Sequence, residues 1–272
     1  MVLLHPYFDL ATPIVIGHRG CAAEVPENTL ASFRAGLEAG AGILESDVHL
    51  TRDGIPVLIH DDEVGRVSDG SGRVGAHTLA ELKRLDAGYH FHPAGDRGHP
   101  YRGRSLHIPT LQEAFEAFPD ARFNLELKED LPGIVERSVE LVAASGRETR
   151  TLLTAADDAL MAKLHRQLDA EAVSAARGAS AGDVVAFVRA AADGTAPPPG
   201  PMALQVPAAF GGRPLVTPEF VSHAHAHELQ VHVWTIDEPE EMSRLLDLGV
   251  DGLVTNHPAR LARLIEGRGD LP

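Results

Sequence analysis

A single cysteine, Cys21, stands among 272 residues, which excludes an intrachain disulfide and a metal cage built of thiolates. No stretch approaches the ~20 consecutive apolar residues that span a bilayer, so no stable membrane insertion is expected. The first ten residues carry no basic cluster, and His5, Pro6 and Asp9 interrupt their apolar positions, so they do not read as a secretion signal. A soluble chain in the reducing cytoplasm is the expectation. Positive charge is scarce too: 24 Lys and Arg against 39 Asp and Glu leave a formal net charge of -15. Affinity for a polyanion comes mainly from cations that neutralise phosphates, so this balance argues against a nucleic-acid partner and for a small-molecule substrate. Nothing in the sequence fixes an oligomeric state.

What is present is ordinary for a globular protein, with 44% hydrophobic and 23% charged residues. The length exceeds that of most domains, yet α/β barrels of roughly 250 residues commonly form around one core. Short apolar runs alternate with longer amphipathic ones, the pattern of repeated βα units around a parallel sheet. Strands are predicted at residues 13–17, 43–50, 122–128, 150–154, 171–175, 202–206, 231–236 and 251–255. Eight such runs predict an α/β fold, a closed (β/α)8 TIM barrel forming a single domain over residues 1–272. Thr29 is placed to cap a helix carrying Leu30, Phe33 and Leu37 on one side. Pro218 and Pro239 suit the first turns of two later helices, where a missing N–H matters little.

Two stretches depart from the repeat. Thr51-Arg52-Asp53-Gly54 is a turn signal, and the run Pro56 to His60 after it predicts a hairpin strand returning beside the second strand and ending at His60. Residues 61–109 are rich in Gly, His and Arg with one helical patch, Leu79 to Leu85, and predict an inserted cap segment. Asp193 to Pro201, with three consecutive prolines, reads as a surface loop without chemistry.

In Ile43-Leu44-Glu45-Ser46-Asp47-Val48 the two carboxylates lie two residues apart, so on a strand both point to one face. In Phe123-Asn124-Leu125-Glu126-Leu127-Lys128 the apolar residues take one face, leaving Asn124, Glu126 and Lys128 on the other. Carboxylates aimed into a barrel need neutralising, because an unpaired buried charge costs several kcal/mol. A hard divalent cation does this, and the oxygen set Glu45, Asp47 and Glu126 favours Mg²⁺ or Ca²⁺, with Mn²⁺ also admitted, over zinc. Buried ion pairs with Arg19 and Lys128 are the bland alternative. The first strand runs into His18-Arg19-Gly20, setting an imidazole and a guanidinium at the end of the barrel where active sites assemble. Arg19 can hold a phosphate through two parallel hydrogen bonds, Lys128 can add a point charge, and His18 and His60 can move protons near neutrality. Together these groups point to phosphoester hydrolysis.

His18-Arg19-Gly20, Pro26-Glu27-Asn28-Thr29, Glu45 to Gly54, His60-Asp61-Asp62, Ile108-Pro109-Thr110-Leu111, Glu126-Leu127-Lys128, Val233-Trp234-Thr235 and Asp251 to Asn256 follow one another across almost the whole chain. In order and spacing they resemble the glycerophosphodiester phosphodiesterase family. The resemblance implies a (β/α)8 barrel with an inserted cap, a divalent metal on Glu45, Asp47 and Glu126, His18 and His60 as acid and base, and Arg19 on the phosphate. It implies glycerophosphodiesters as substrates, cleaved to sn-glycerol 3-phosphate and an alcohol. Two departures stand out: Cys21 where a small residue is usual, and Asn256-His257-Pro258 in place of an acidic-basic-proline ending. Neither is expected to touch a predicted ligand.

Trp234, near the end of the seventh strand, is read either as core or as a wall of the substrate site. Of His223, His225 and His227 only the first and last share a helix face, without a matching carboxylate, so a solvated face is expected there. No role is assigned to His90, His92, His99 or His107. Cys21 reads as a buried small residue whose nearness to His18 raises the question of thiol sensitivity. A lysophospholipid-cleaving enzyme would need a large apolar surface at the mouth, and the mostly polar insertion argues against one. A barrel that binds phosphodiesters without cleaving them is the remaining rival.

Overall fold

The computed structural model describes residues 5–95 and 98–269. Residues 1–4, part of the stretch read for a secretion signal, residues 96–97 of the predicted cap and residues 270–272 lie outside the described residues. In chain order the strands are β1 (Ile14–His18), β2 (Ile43–Leu50), β3 (Pro56–Leu58), β4 (Arg122–Leu127), β5 (Thr151–Thr154), β6 (Ala176–Arg177), β7 (Ala203–Pro207), β8 (Ala209–Phe210), β9 (Arg213–Pro214), β10 (Gln230–Trp234) and β11 (Gly252–Thr255). The helices are α1 (Leu30–Glu38), α2 (Leu79–Leu82), α3 (Leu111–Ala117), α4 (Ile134–Ala144), α5 (Asp158–Ala170), α6 (Ala181–Asp193), α7 (Pro218–Ala226), α8 (Pro239–Asp247) and α9 (Pro258–Gly269).

Eight strands pair side by side in the order β6-β5-β4-β2-β1-β11-β10-β7, while β3 pairs antiparallel with β2. Between β6 and β7 the Met202 N–H donates to the Arg177 carbonyl at 2.9 Å, so the parallel barrel is nearly closed. This is the predicted (β/α)8 architecture. Thr29 caps α1 through its side chain, and Pro218 and Pro239 sit in the first turns of α7 and α8.

Most strand ends fall within one or two residues of the sequence reading, and two differences have a clear physical reason. The fifth predicted run, residues 171–175, is replaced by β6 at Ala176–Arg177, because α5 runs on to Ala170. Ala172 then turns through a positive φ of 53°, and the Val173 N–H bonds back to the Leu168 carbonyl at 2.9 Å, so the chain is still leaving the helix where a strand was expected. The return strand stops at Leu58; Ile59 keeps one bond to the Asp47 carbonyl at 3.1 Å, and His60 lies beyond it.

Alternation along the strands divides two cores. Leu44, Phe123, Leu125, Leu153, Leu204, Val231 and Leu253 pack outward against the helices. Ile14, Ile16, Ile43, Leu152, Ala203 and Val254 fill the barrel interior together with Tyr7 and Phe8 from the turn Pro6–Phe8. The columns that begin with Ile14, Ile16 and Ile43 continue upward as His18, Glu45 and Asp47, so the barrel is apolar below and charged at its carboxyl-terminal mouth. The segment after β3 has its own small core of Val57, Ile59, Val64, Val74, Leu82 and Ile108, with Leu79 and Leu85 packed on it. No described helix is long and apolar enough to cross a membrane.

His232, on β10, is 1% exposed and its Nε2 has no partner. Burial outweighs the charge of Asp251 and lowers its pKa to about 4. The folded form therefore resists a proton that the unfolded chain accepts at about 6.5, so its share of stability is present above 6.5 and lost as pH falls towards 4. A shift of this size corresponds to about 3 kcal/mol. Urea titrations at pH 7 and pH 4 should show His232→Leu losing that much less stability than the parent; equal losses would show that His232 does not carry this sensitivity.

Candidate active site

The mouth begins where β1 ends. Arg19 adopts a positive φ of 50° and Gly20 one of 94°. A Cβ on Gly20 would lie 2.5 Å from backbone and side-chain atoms of Ser32, so only glycine lets this turn rest on α1. The Ser32 hydroxyl donates to the Arg19 carbonyl at 2.8 Å and accepts from the Cys21 N–H at 2.9 Å, locking the turn. The Arg19 N–H then meets Glu45 Oε2 at 3.1 Å, while its guanidinium donates to Glu27 Oε1 at 2.8 Å and sets Nε 3.5 Å from Asp47 Oδ2.

Parallel register does the rest. Glu45 lies opposite Asn124 and Asp47 opposite Glu126, so carboxylates from β2 and β4 face the interior at one level. The Lys128 N–H continues this ladder to the Val48 carbonyl at 3.2 Å, and its Nζ sits 3.1 Å from Glu126 Oε2 and 3.5 Å from Asp47 Oδ1. His18, Arg19, Glu45, Asp47, His60, Glu126, Lys128 and Trp234 all line one cavity of about 330 Å³. Trp234 is 45% exposed at its rim and is not packed in the core.

Burial, then the charge of Asp47, pushes the Glu45 carboxyl well above the usual carboxylate range. Burial and then the adjacent Arg19 charge push the His18 imidazole below its ordinary value. Burial opposes the Lys128 ammonium as well, but Asp47 and Glu126 outweigh it and hold its pKa up. Among the described residues no three His, Cys, Asp or Glu side chains are already gathered as a metal cage; Lys128 lies between Asp47 and Glu126. The donor set nevertheless suits a hard cation. Glu45 and Asp47 are like charges buried side by side, and the neighbouring Asn124 Oδ1 is a buried oxygen without a partner.

The sequence reading missed several partners. Asn256, expected only to keep clear of the predicted ligands and given no partner, accepts from His18 Nδ1 at 2.7 Å. Its own amide nitrogen donates to Asp237 Oδ2 at 2.7 Å, which fixes the amide's orientation, so the oxygen faces His18 and Nδ1 carries the hydrogen. Asp61 holds His60 in the same way, its Oδ1 2.7 Å from Nδ1. Asn28, another positive-φ residue at 54°, donates to Asp47 Oδ2 at 3.1 Å. The signal for Asn256 was available as a departure from the family pattern next to a strand end; Asp237, 19 residues earlier, gave none.

None of the other histidines lines this cavity. His223 and His227 meet edge to face with ring centroids 4.7 Å apart, and His225 pairs with Asp251 at 2.9 Å near the start of β11. Burial, then Glu24, pushes the Cys21 thiol up to about 11, which removes the thiolate needed for reactivity.

Residues 18–260 match the family model for the glycerophosphoryl diester phosphodiesterase family. The chain belongs to that family. Membership makes it an enzyme, a phosphoric diester hydrolase. Its relatives include a glycerophosphodiester phosphodiesterase from Caldanaerobacter subterraneus subsp. tengcongensis, 32% identical over 94% of this chain and 99% of the relative. Among solved structures, a phosphodiesterase from Oleispira antarctica in complex with the product sn-glycerol-3-phosphate is 30% identical, with a TM-score of 0.75 and coverage of 93% and 97%. The glycerophosphoryl diester phosphodiesterase domain of a Mycobacterium tuberculosis protein superposes with a TM-score of 0.81 over 94% of this chain and 99% of that one. At 23% identity it speaks for the fold alone.

Proposed function

We propose that this phosphodiesterase hydrolyses glycerophosphodiesters such as glycerophosphocholine to sn-glycerol 3-phosphate and the free alcohol, with His18 and His60 moving the protons. The observation that carries this reading is the convergence of two imidazoles, three carboxylates, Arg19 and Lys128 on one cavity of about 330 Å³, large enough for a small diester. Arg19 and Lys128 bind the non-bridging phosphate oxygens. Glu45, Asp47 and Glu126 would hold one divalent cation, Mg²⁺ or Ca²⁺ with Mn²⁺ as a further candidate, and a cation there supplies Lewis-acid stabilisation of charge on the phosphoryl oxygens.

The hydrogen-bond pattern supports an assignment of acid and base. His18 carries its hydrogen on Nδ1, towards Asn256, and burial with Arg19 favours the neutral ring, so Nε2 holds an open lone pair. That nitrogen takes the proton of the attacking hydroxyl as its oxygen bonds to phosphorus; the hydroxyl belongs either to water, which gives the monoester directly, or to the neighbouring carbon of the glycerol, which gives a cyclic phosphate that water then opens. His60, with Nδ1 on the Asp61 carboxylate, holds a second proton on Nε2 and passes it to the alcohol oxygen as the P–O bond breaks. Trp234 forms a wall for the substrate.

A second reading, cleavage of lysophospholipids by the same site, has one observation in its favour. Phe210 is 78% exposed on the β8–β9 hairpin, which follows β7 where Pro207 pairs with Trp234. Leu79, Leu82 and Leu85 give it no support, since they pack inside the inserted segment. Phosphorus NMR of reactions with glycerophosphocholine and with lysophosphatidylcholine decides. Glycerol 3-phosphate from the first substrate is expected; phosphocholine would show the wrong bond broken, and turnover of the lysolipid alone would favour the second reading.

A further inference from the structure

Arg66 belongs to the segment inserted after β3 and does not line the catalytic cavity, yet its guanidinium makes four hydrogen bonds to two carboxylates. Nη1 and Nη2 donate to the two oxygens of Glu27, each at 2.8 Å. Nε and Nη2 donate to the two oxygens of Asp61, at 2.5 and 3.2 Å. Each carboxylate then reaches one residue of the site: Glu27 Oε1 accepts from Arg19 at 2.8 Å, and Asp61 Oδ1 from His60 at 2.7 Å. The result is an unbroken chain, His60–Asp61–Arg66–Glu27–Arg19, with both ends on the cavity wall.

We infer that Arg66 is a positioning residue that aligns the His60 imidazole and the Arg19 guanidinium together, so that the inserted segment sets the distance between proton donor and phosphate clamp. Single ion pairs at a surface contribute little, and Arg66 is half exposed, so binding energy is not its main contribution. Its value lies in geometry. Two bidentate pairs fix the plane of one guanidinium and, through it, two carboxylates, each of which has one oxygen shared with a site residue. Lys offers a point charge and cannot make this double fork. Both carboxylates are held ionised, at about 2, because Arg66 and their site partners outweigh burial. They therefore act only as acceptors towards Arg19 and His60. Misplacement of reacting groups by about 1 Å is enough to lose roughly 10²-fold in rate.

The inference rests on the reading of His60 as acid and Arg19 as phosphate clamp, and the test separates the two. Steady-state kinetics are measured for Arg66→Met, Glu27→Gln, Asp61→Asn and His60→Ala. Two substrates are used: glycerophosphocholine, and a glycerol phosphodiester of p-nitrophenol, whose leaving group needs no proton. Glu27→Gln should mainly raise KM for both substrates, Asp61→Asn should mainly lower kcat for glycerophosphocholine, and Arg66→Met should do both, by about 10-fold or more in each parameter. On the p-nitrophenyl substrate the kcat defect of Arg66→Met should vanish and the KM defect persist. A merely structural staple would not depend on the leaving group. Arg66→Lys should stay impaired, whereas added guanidinium should restore part of the activity of Arg66→Ala through the cavity of about 200 Å³ that Arg66 lines with Pro26, Phe91 and His92. Parental kcat and KM in folded Arg66→Met overturn the inference. If that variant does not fold, parental kinetics in Glu27→Gln and Asp61→Asn overturn it instead. An unimpaired His60→Ala would instead sink the underlying reading of the site.

Discussion

Replacing His18 or His60 by Ala should lower turnover of glycerophosphocholine by at least ~10²-fold, the scale of help that a positioned proton-transfer group gives. The two losses differ in kind. An alkoxide leaves phosphorus badly without a proton, whereas p-nitrophenolate leaves unaided. His60→Ala should therefore recover most of its loss on a p-nitrophenyl diester, and His18→Ala should not, because the attacking hydroxyl still needs a base. Neither substitution removes a packing element: His60 lies on the chain after β3, and His18 ends β1. Circular dichroism and thermal midpoints should stay near those of the parent. Near-normal turnover in both variants contradicts the assignment, and recovery of His18→Ala alone on the activated substrate would exchange the roles.

Glu45→Gln and Asp47→Asn should each lose at least ~10³-fold in turnover, since each removes negative charge where a cation would stabilise the phosphoryl oxygens. Their stabilities should move in opposite directions. In cation-free buffer Glu45→Gln should be more stable than the parent by about 1 kcal/mol, because it removes a carboxyl that burial and Asp47 both disfavour in its charged form. Asp47→Asn should be less stable, because Asp47 faces Arg19 at 3.5 Å, Lys128 at 3.5 Å and the Asn28 amide at 3.1 Å. A carboxylate kept at the expense of stability is a mark of function rather than packing. Loss of stability in both variants, with activity intact, would return these groups to the bland reading of buried ion pairs.

Much of this arrangement was legible in the sequence because it depends on local periodicity. Two-residue spacing puts Glu45 and Asp47 on one face wherever the strand lies, and the apolar phase of Phe123, Leu125 and Leu127 sends Glu126 and Lys128 the other way. Thr29, Pro218 and Pro239 are helix-start signals that act within a few residues. β6 was misplaced for the same reason: Val173 and Ala175 are apolar and buried, but they pack as the exit of α5, and β6 is only two residues long. What could not be read was contact between distant segments. Asn256 reaches His18 across 238 positions, and Arg66 reaches Glu27 across 39 from a segment with little periodicity of its own. The family resemblance supplied the roles of the site residues but not these second partners.

The central claim, a cation-assisted phosphodiesterase built on Glu45, Asp47 and Glu126, is tested most directly by stripping the protein with chelator. Release of glycerol 3-phosphate from glycerophosphocholine is then followed as Mg²⁺, Ca²⁺ or Mn²⁺ is added back. The account predicts no release from the stripped protein and recovery that saturates with about one bound cation per chain, absent in Asp47→Asn. Full hydrolysis by the stripped protein would contradict it.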